Sequence, residues 1–485
     1  MRPLLTAEEM RRHEADIFKG GRSSLEAMEQ ASQAVADVLI PMQPKHVVIL
    51  CGPGNNGGDG YGLALLLHQE QIAVSLGALA PAATVDAQQM EKRWLDFGQV
   101  LSLDLALEQC PGADVVVDAL FGTGLKRPLD LHLTQSIESA VHQVPIRLSV
   151  DIPSGVSADD GTILSNAFRA THTVTFGEKK RGHVLEPGKS QCGQIILRDI
   201  GLSYAGNRHC SSVQPDVFEN SLPDLPQPEG DVHKYRRGHA LIAGGGRYCS
   251  GAARLAARAA LRIGAGVATL LVPKEAADIY ATQITSIMLE PCEQNADYVR
   301  ALSDDRARAL LIGPGFGVGA HCRDLIADLR RCKKPLVLDA DALTSFEGDP
   351  SRLFAMLDRD CVITPHQGEF ARLFPDLEGS KLAQAQAAAT RSQAIVVLKG
   401  SDTVIAHPDG YARINAHASP WLATAGSGDV LAGMICGLLA QGVDVFKAAC
   451  AGVRIHGEIG MRLGSGLIAE DLVDAIVQFF CQKSN

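Results

Sequence analysis

The string Cys51-Gly-Pro-Gly-Asn-Asn-Gly-Gly-Asp-Gly60 packs five glycines into ten residues, interleaved with Asn55, Asn56 and Asp59. Glycines let main-chain N–H groups approach an anion closely, and a helix starting after them, here at Tyr61, adds a partial positive charge. The string is neither a Walker loop nor a G-x-G-x-x-G fingerprint. It reads as a phosphate cradle, against the alternative of a tight turn that needs positive φ. Two more strings end apolar runs with an aspartate: Val117-Asp118-Ala-Leu-Phe121, leading into Gly122-Thr-Gly-Leu-Lys-Arg-Pro128, and Ser149-Val-Asp151-Ile-Pro-Ser154-Gly155. A carboxylate there is costly to desolvate unless it is paired or bound to a cation. Asn56, Asp118 and Ser154 offer only oxygen ligands, which suits a hard cation; alternatively Asp118 caps the turn that follows it. Asp151 is left to face a ligand, where it can bond a ribose or move a proton.

The second half carries four comparable strings: Gly313-Pro-Gly-Phe-Gly317, Thr364-Pro-His-Gln-Gly-Glu-Phe370, Lys399-Gly-Ser-Asp-Thr403 and Ala423-Thr-Ala-Gly426-Ser-Gly428-Asp429. The last opens a helix, so its glycine N–H groups form an anion hole with Asp429 beside it. A base next to an anion hole is what phosphoryl transfer to a hydroxyl requires. The plainer reading is that Asp429 complements the helix dipole, and that His366 is a solvated turn histidine.

Such strings act when strands deliver them to one sheet edge. Residues 1–40 have helical spacing. Short apolar runs then alternate with longer amphipathic stretches: Val47–Leu50, Ala73–Leu79, Val115–Leu120, Ile146–Val150, Thr173–Phe176 and Ile195–Ile200. A second series comprises Ala240–Ala243, Ala268–Val272, Ala309–Ile312, Pro335–Asp339, Cys361–Thr364 and Ile395–Leu398, with helices at Gly251–Leu261, Asp429–Leu439, Phe446–Leu463 and Ala469–Phe480. The pattern predicts an α/β chain of two tandem doubly wound domains, 1–210 and 232–485. Residues 211–231, with Pro215, Pro223, Pro226 and Pro228, link them.

Composition agrees with that reading. The 485 residues exceed one ordinary domain, and 46% apolar and 21% charged residues with mean hydropathy +0.05 describe a globular chain. A net charge of −10 gives no support to a phosphate-coating nucleic-acid binder. Twelve cysteines include no C-x-x-C pair, which predicts reduced thiols in a cytoplasm rather than zinc or disulfides. The first residues lack the apolar core of a secretory signal, and no apolar run approaches the ~20 residues of a membrane span.

Gly-Pro-Gly-Asn-Asn-Gly-Gly-Asp-Gly, Phe-Gly-Thr-Gly-Leu-Lys-Arg-Pro and Val-Asp-Ile-Pro-Ser-Gly resemble the NAD(P)H-hydrate epimerases, Rossmann-like enzymes that interconvert the C6 epimers of hydrated NADH and NADPH (NADHX and NADPHX). The resemblance implies that Asn55, Asn56, Gly57, Gly58 and Asp59 hold the dinucleotide. With them would be the loop Gly122, Thr123, Gly124, Leu125, Lys126, Arg127 and Pro128, and Asp151. It also implies that Asn56, Asp118 and Ser154 hold K+. Asp151 and Lys126 are the candidates for moving protons.

In the second half, Gly-Ser-Gly-Asp resembles the ribokinase-like fold, and its combination with Thr-Pro-His-x-Gly-Glu and Leu-Lys-Gly resembles the dehydratase branch of that fold. Those enzymes return the S-hydrate to NAD(P)H with ADP in bacteria and ATP in eukaryotes. The resemblance implies that Ala252, Gly315, His366 and Asp429 contact the hydrate, with Gly317 beside them. Lys399, Gly400, Ser401, Asp402, Thr403 and Gly428 would contact the nucleotide, Asp429 would be the base, and Mg2+ would screen the phosphates. The order of the halves matches the fused bacterial repair enzymes, an isomerase joined to a lyase. Departures are Gln367 where the family usually has proline, Gly244-Gly-Gly246 for a more usual Gly-Gly-Ser, and His417-Ala-Ser-Pro-Trp421 without a glycine-asparagine turn. Two rivals remain: a ribokinase-like vitamin or sugar kinase with a nucleotide-binding N-terminal domain, and a scaffold of the kind found in mRNA decapping. A homo-oligomer, a tetramer, is the expected assembly.

Overall fold

The computed structural model describes residues 1–227, 230 and 232–483. The chain divides into two compact units, one spanning Arg2–Phe218 and the other beginning at Glu219.

The first unit is built on seven strands: β1 (His46–Cys51), β2 (Ala73–Ala78), β3 (Leu101–Ser102), β4 (Val115–Ala119), β5 (Ile146–Val150), β6 (His172–Phe176) and β7 (Gln194–Arg198). All pairings are parallel, in the order β3-β2-β1-β4-β5-β6-β7. Both faces are covered, as an all-parallel sheet requires. Val47, Ile49 and Cys51 join one apolar cluster, while Val48 and Leu50 join the cluster on the other face. The strand order reverses between β1 and β4, which opens a crevice beyond their carboxyl ends.

The glycine-rich string does not form the expected loop with a helix starting at Tyr61. The helix already begins at Asn55 and runs to Gln69, with Gly54 as an uncapped N-cap. Its glycines are spent on close packing. A Cβ at Gly57 would lie 1.9 Å from the Gly52 carbonyl oxygen, one at Gly60 2.7 Å from Cys51 Sγ, and one at Gly62 2.2 Å from Ser32 Oγ. Helix propensity opposes glycine by about 1 kcal/mol each, and burial of the helix between β1 and helix Ser24–Leu39 outweighs it. Only the first-turn N–H groups remain for an anion.

The stretch 211–231 holds a short strand, β8 (Val217–Glu219), at which the units divide. Pro228, Glu229 and Asp231 lie outside the described residues.

In the second unit follow β9 (His239–Ala243), β10 (Val267–Pro273), β11 (Met288–Cys292), β12 (Ala307–Ile312), β13 (Leu336–Leu338), β14 (Cys361–Ile363), β15 (Ile395–Leu398), β16 (Thr403–Ala406) and β17 (Ala412–Asn415). The ten-stranded sheet has the order β11-β10-β9-β12-β13-β14-β15-β16-β17-β8. It is parallel from β11 to β15, and β15-β16-β17 are antiparallel. Its switch point lies between β9 and β12. Helix Ser427–Ala440 is buried along most of its length and seats on the alanine-rich helix Ser250–Arg262. A Cβ at Gly433 would stand 2.3 Å from the Ala256 carbonyl oxygen, and one at Gly437 2.6 Å from that of Ala260. Main chain meets main chain, and this fixes where the Gly426–Asp429 end of the helix points. All twelve cysteines are free thiols, and among the described residues no helix is long and apolar enough to cross a membrane.

Candidate active sites

In the first unit Asp118 lies abreast of Leu50 on β1 and Ser149 on β5, fully buried. Four donors meet its carboxylate: Ser154 Oγ–H at 2.7 Å and Leu120 N–H at 3.2 Å on Oδ1, Ser154 N–H at 2.8 Å and Ser149 Oγ–H at 3.3 Å on Oδ2. Burial still outweighs them and pushes its pKa up to about 6. Asp118 therefore braces the Leu120 and Ser154 turns, and a proton or a cation there is favourable. Asn56, far from Asp118 in sequence, is buried beside the Gly122 loop that follows that aspartate; its Nδ2 has no hydrogen-bond partner, and its Oδ1 would lie 3.1 Å from a Cβ at Gly122.

Asp151 takes a left-handed conformation (φ 65°), rare for a non-glycine residue. Its surroundings hold it there. His183 Nδ1 accepts the Lys180 N–H at 2.9 Å, so Nε2 carries the hydrogen and donates to the Asp151 carbonyl at 2.8 Å. The Lys180 ammonium, 1% exposed, reaches Asp151 Oδ1 at 2.6 Å, Thr175 Oγ1 at 3.0 Å and the Phe176 carbonyl at 3.3 Å. Burial pulls the Asp151 carboxyl upward, but the Lys180 charge beside it holds it below the usual carboxylate range. Two other carboxyls share this field. Burial pushes Glu14 up to about 7, and burial with the charges of Asp151 and Glu14 drives Asp59 well above its ordinary value. The site thus combines an ionised carboxylate, Asp151, with Asp59, which keeps its proton, and Glu14, which titrates near neutral pH.

The sequence candidates distribute unevenly around this centre. Gly122 adjoins both Asn56 and Asp151, with Asp151 Oδ2 3.4 Å from its Cβ position. Asn55 is exposed and accepts the Thr84 hydroxyl at 2.6 Å; Gly58 backs onto Met28 and Ala87. Thr123, Gly124, Leu125, Arg127 and Pro128 form an open loop with Lys126, which is exposed. The ammonium on Asp151 is that of Lys180.

In the second unit the centre is Lys399, directly after β15. Its Nζ lies 2.8 Å from Asp339 Oδ1 and 4.0 Å from Glu369 Oε2. It also lies 3.5 Å from where a Cβ at Gly428 would stand. Burial alone would lower the Lys399 pKa, but Asp339 and Glu369 raise it, so it stays charged. Asp429, on the first turn of helix Ser427–Ala440, is pushed up to about 6 by burial and by Asp339. Gly426, in the left-handed region at φ 86°, is the N-cap and no side chain caps the helix. Its first N–H groups are left for a ligand.

Around this centre, Gly315 touches Ala252, with Cβ positions 3.5 Å apart, and the Gly317 N–H donates to Asp341 Oδ2 at 2.9 Å. His366 caps helix Gln367–Leu373. Its Nδ1 accepts the Gly368 and Glu369 N–H groups at 2.9 and 3.2 Å, while Glu369 Oε2 accepts the His366 N–H. Its ring is 57% exposed, with Nε2 3.6 Å from Glu369 Oε1. Gln367 is the first helical residue, a position proline also suits, so this departure leaves the helix start intact. Gly400 and Thr403 close a turn through the Thr403 hydroxyl, Ser401 is exposed, and Asp402 is held by Lys381 Nζ at 2.5 Å.

Residues 240–481 match the NAD(P)H-hydrate dehydratase family, and residues 24–182 match the YjeF-related protein N-terminus. The bifunctional NAD(P)H-hydrate repair enzyme of Moorella thermoacetica is 36% identical over 89% of this chain and 86% of its own length. That of Escherichia coli is 33% identical over 97% and 92%. The chain belongs to the bifunctional NAD(P)H-hydrate repair enzymes. A Bacillus subtilis ADP/ATP-dependent NAD(P)H-hydrate dehydratase, crystallised with ATP/Mg2+, aligns over 53% of this chain and 94% of its own at 27% identity, with a TM-score of 0.45.

In this repair enzyme several polar residues at the two centres escape a strand-end reading. Glu14 sits on the N-terminal helix, and Lys180 and His183 come from the segment after β6; nothing in their local sequence points at Asp151. Asp339 is different. It follows β13 as Asp118 and Asp151 close β4 and follow β5, and the same rule applied to Pro335–Asp339 finds it.

Proposed function

We propose that the first unit epimerises R- and S-NAD(P)HX and the second dehydrates the S form to NAD(P)H at the expense of ADP. The observation that carries this reading is a buried acid–lysine centre at each unit's strand-end edge, one fitted to protons and the other to phosphate.

In the first unit, Asp151, held ionised by Lys180, takes a proton from the substrate, and the raised carboxyls of Asp59 and Glu14 are the groups that return one. The first-turn N–H groups of helix Asn55–Gln69 face the pyrophosphate. A potassium ion fits Asn56, Asp118 and Ser154 on one condition. The four donors already fill the lone-pair sites of the Asp118 carboxylate, so the Ser154 hydroxyl must turn to its other acceptor, the Phe121 carbonyl at 3.3 Å. The cation supplies a fixed positive charge that keeps Asp118 ionised.

In the second unit, Asp429 takes the proton of the hydrate hydroxyl as its oxygen attacks the β-phosphorus of ADP and AMP leaves. The attack forms an O–P bond; breaking the C–O bond of the resulting phosphate ester expels phosphate, and loss of a proton from the neighbouring ring carbon restores the double bond. Lys399 and the N–H groups of Ser427 and Gly428 meet the charge on the transferred group. The Gly400–Thr403 turn faces the nucleotide, and Ala252, Gly315 and His366 face the hydrate. Among the described residues no three His, Cys, Asp or Glu side chains converge as a metal cage, so Mg2+ is read as arriving on the nucleotide phosphates. The test mixes protein with R/S-NADHX, Mg2+ and ADP and follows reduced-nicotinamide absorbance. Full recovery supports both activities. A stall once the S form is spent removes the epimerase, and no recovery with ADP or ATP removes the dehydratase.

A further inference from the structure

The anion hole of the second unit has no internal brace. Gly426 is left-handed, no side chain caps the helix, and the Ser427 N–H reaches only the Thr424 carbonyl at a long 3.3 Å. The string that leads into it, His417–Leu422, is irregular apart from the turn Pro420–Leu422. The seat on helix Ser250–Arg262 sets the axis of the helix, but its main-chain contacts lie at Gly433 and Gly437. The aim of the first-turn N–H groups, which phosphoryl transfer needs in one arrangement, therefore depends on contacts at the first turn itself.

The missing brace comes from helix Val445–Leu463. His456 on this helix is buried, and its Nε2 lies 3.0 Å from Ser427 Oγ and 3.1 Å from the Ser427 carbonyl oxygen. One hydrogen placement satisfies both distances. With Nε2 bare, it would accept the Ser427 hydroxyl but press its lone pair against a carbonyl lone pair. With Nε2 protonated, its N–H is shared between the two oxygens and both contacts are attractive. Burial keeps the ring neutral, its pKa lowered to about 4, so a single tautomer persists through the neutral range. The same helix face also carries the incoming string. A Cβ at Gly457 would lie 1.9 Å from the His417 carbonyl oxygen, and one at Gly460 2.6 Å from Leu422.

We propose that His456 is the positioning residue of this anion hole: through its Nε2–H it clamps Ser427 and so fixes the direction of the Ser427 and Gly428 N–H groups and of Asp429. The inference rests on the dehydratase reading of the second unit and assigns His456 no contact with substrate.

The test compares three full-length variants with the wild type on S-NADHX, ADP and Mg2+. Glutamine places an amide N–H at the reach of Nε2, asparagine is too short, and leucine fills the space without a donor. His456→Leu and His456→Asn should lower kcat on the order of 10²-fold, the cost of a misaimed catalytic group, with KM for ADP changed less than about 3-fold. His456→Gln should recover to within about 10-fold of wild type. Wild-type kcat in folded His456→Asn, or a His456→Gln no faster than His456→Asn at equal thermal stability, overturns the proposal. If His456→Leu does not fold, the glutamine–asparagine pair decides alone, since both keep a polar amide in the site. A wild type inactive on S-NADHX would instead refute the dehydratase reading, which separates the two failures.

Discussion

The two centres use a lysine in opposite ways. Lys180 spends all three of its hydrogens on protein acceptors and is closed off from solvent; Lys399 is 20% exposed and faces Asp339 and Glu369 beside an uncapped helix end. A lysine with no hydrogen to spare can tune the charge of its neighbour but cannot grip a polyanion. A lysine among carboxylates at a helix N-terminus can exchange them for phosphate oxygens as the ligand arrives. The first centre is therefore organised around where protons reside, and the second around where negative charge develops.

The largest expected effect separates the two outright. Asp429→Ala should reduce dehydration by about 10³-fold or more, the scale of losing a base in the transition state, with epimerisation unchanged by NMR of the R/S ratio. Equal loss of both would mean the centres are not independent. Lys180→Met is the mirror experiment. Epimerisation should fall on the order of 10²-fold while dehydration of pure S-NADHX persists.

The pH dependence sharpens the contrast. Asp429 must be ionised to accept a proton, and its carboxyl is raised to about 6. Dehydration kcat/KM should thus rise with pH up to about 6 and level above it; a profile flat down to pH 5 would exclude Asp429 as the base. Asp118, also raised to about 6, is stabilised in the folded state when protonated. That contribution is complete below its unfolded value and is lost as pH rises through about 6. Potassium should offset the loss. Replacing choline chloride by KCl should raise Tm at pH 8, less at pH 5, and not at all in Asp118→Asn. A wild-type potassium shift in that variant would place the cation elsewhere. The smallest effect is Gln367→Pro, which should stabilise by about 0.5 kcal/mol. His366 already has the extended backbone that a following proline requires, φ −80° and ψ 171°. Urea denaturation would show a shift of that sign without a change of slope.

Much of this arrangement is legible in the residues, because an aspartate that ends an apolar strand announces a sheet edge. That rule finds Asp118 and Asp151, and applied evenly it finds Asp339. The βα alternation predicts a doubly wound, mainly parallel sheet in each unit, and both sheets have that form, though the strand order itself is not written in the alternation. The boundaries of helix Asn55–Gln69 do not, since glycine and asparagine speak against a helix locally and only packing onto β1 and Ser32 decides for it. The β16–β17 hairpin is missing from the sequence pattern although Pro408-Asp409-Gly410 is a turn signal; its strands are only four residues each. Glu14, Lys180 and His183 reach Asp151 through tertiary packing, for which a single sequence holds no local sign.

The seating of helix Ser427–Ala440 on helix Ser250–Arg262 has a thermal consequence. Heat ordinarily loosens a protein first through side chains that hop between rotamers in its packed layers. At Gly433 the nearest atoms are all Ala256 main chain, and at Gly437 only the β-branched, rotationally stiff Ile263 joins the Ala260 main chain, so little at that contact can soften ahead of the rest. The aim of Asp429 should therefore persist nearly to the temperature at which the second unit unfolds as a whole, and activity should end abruptly rather than fade.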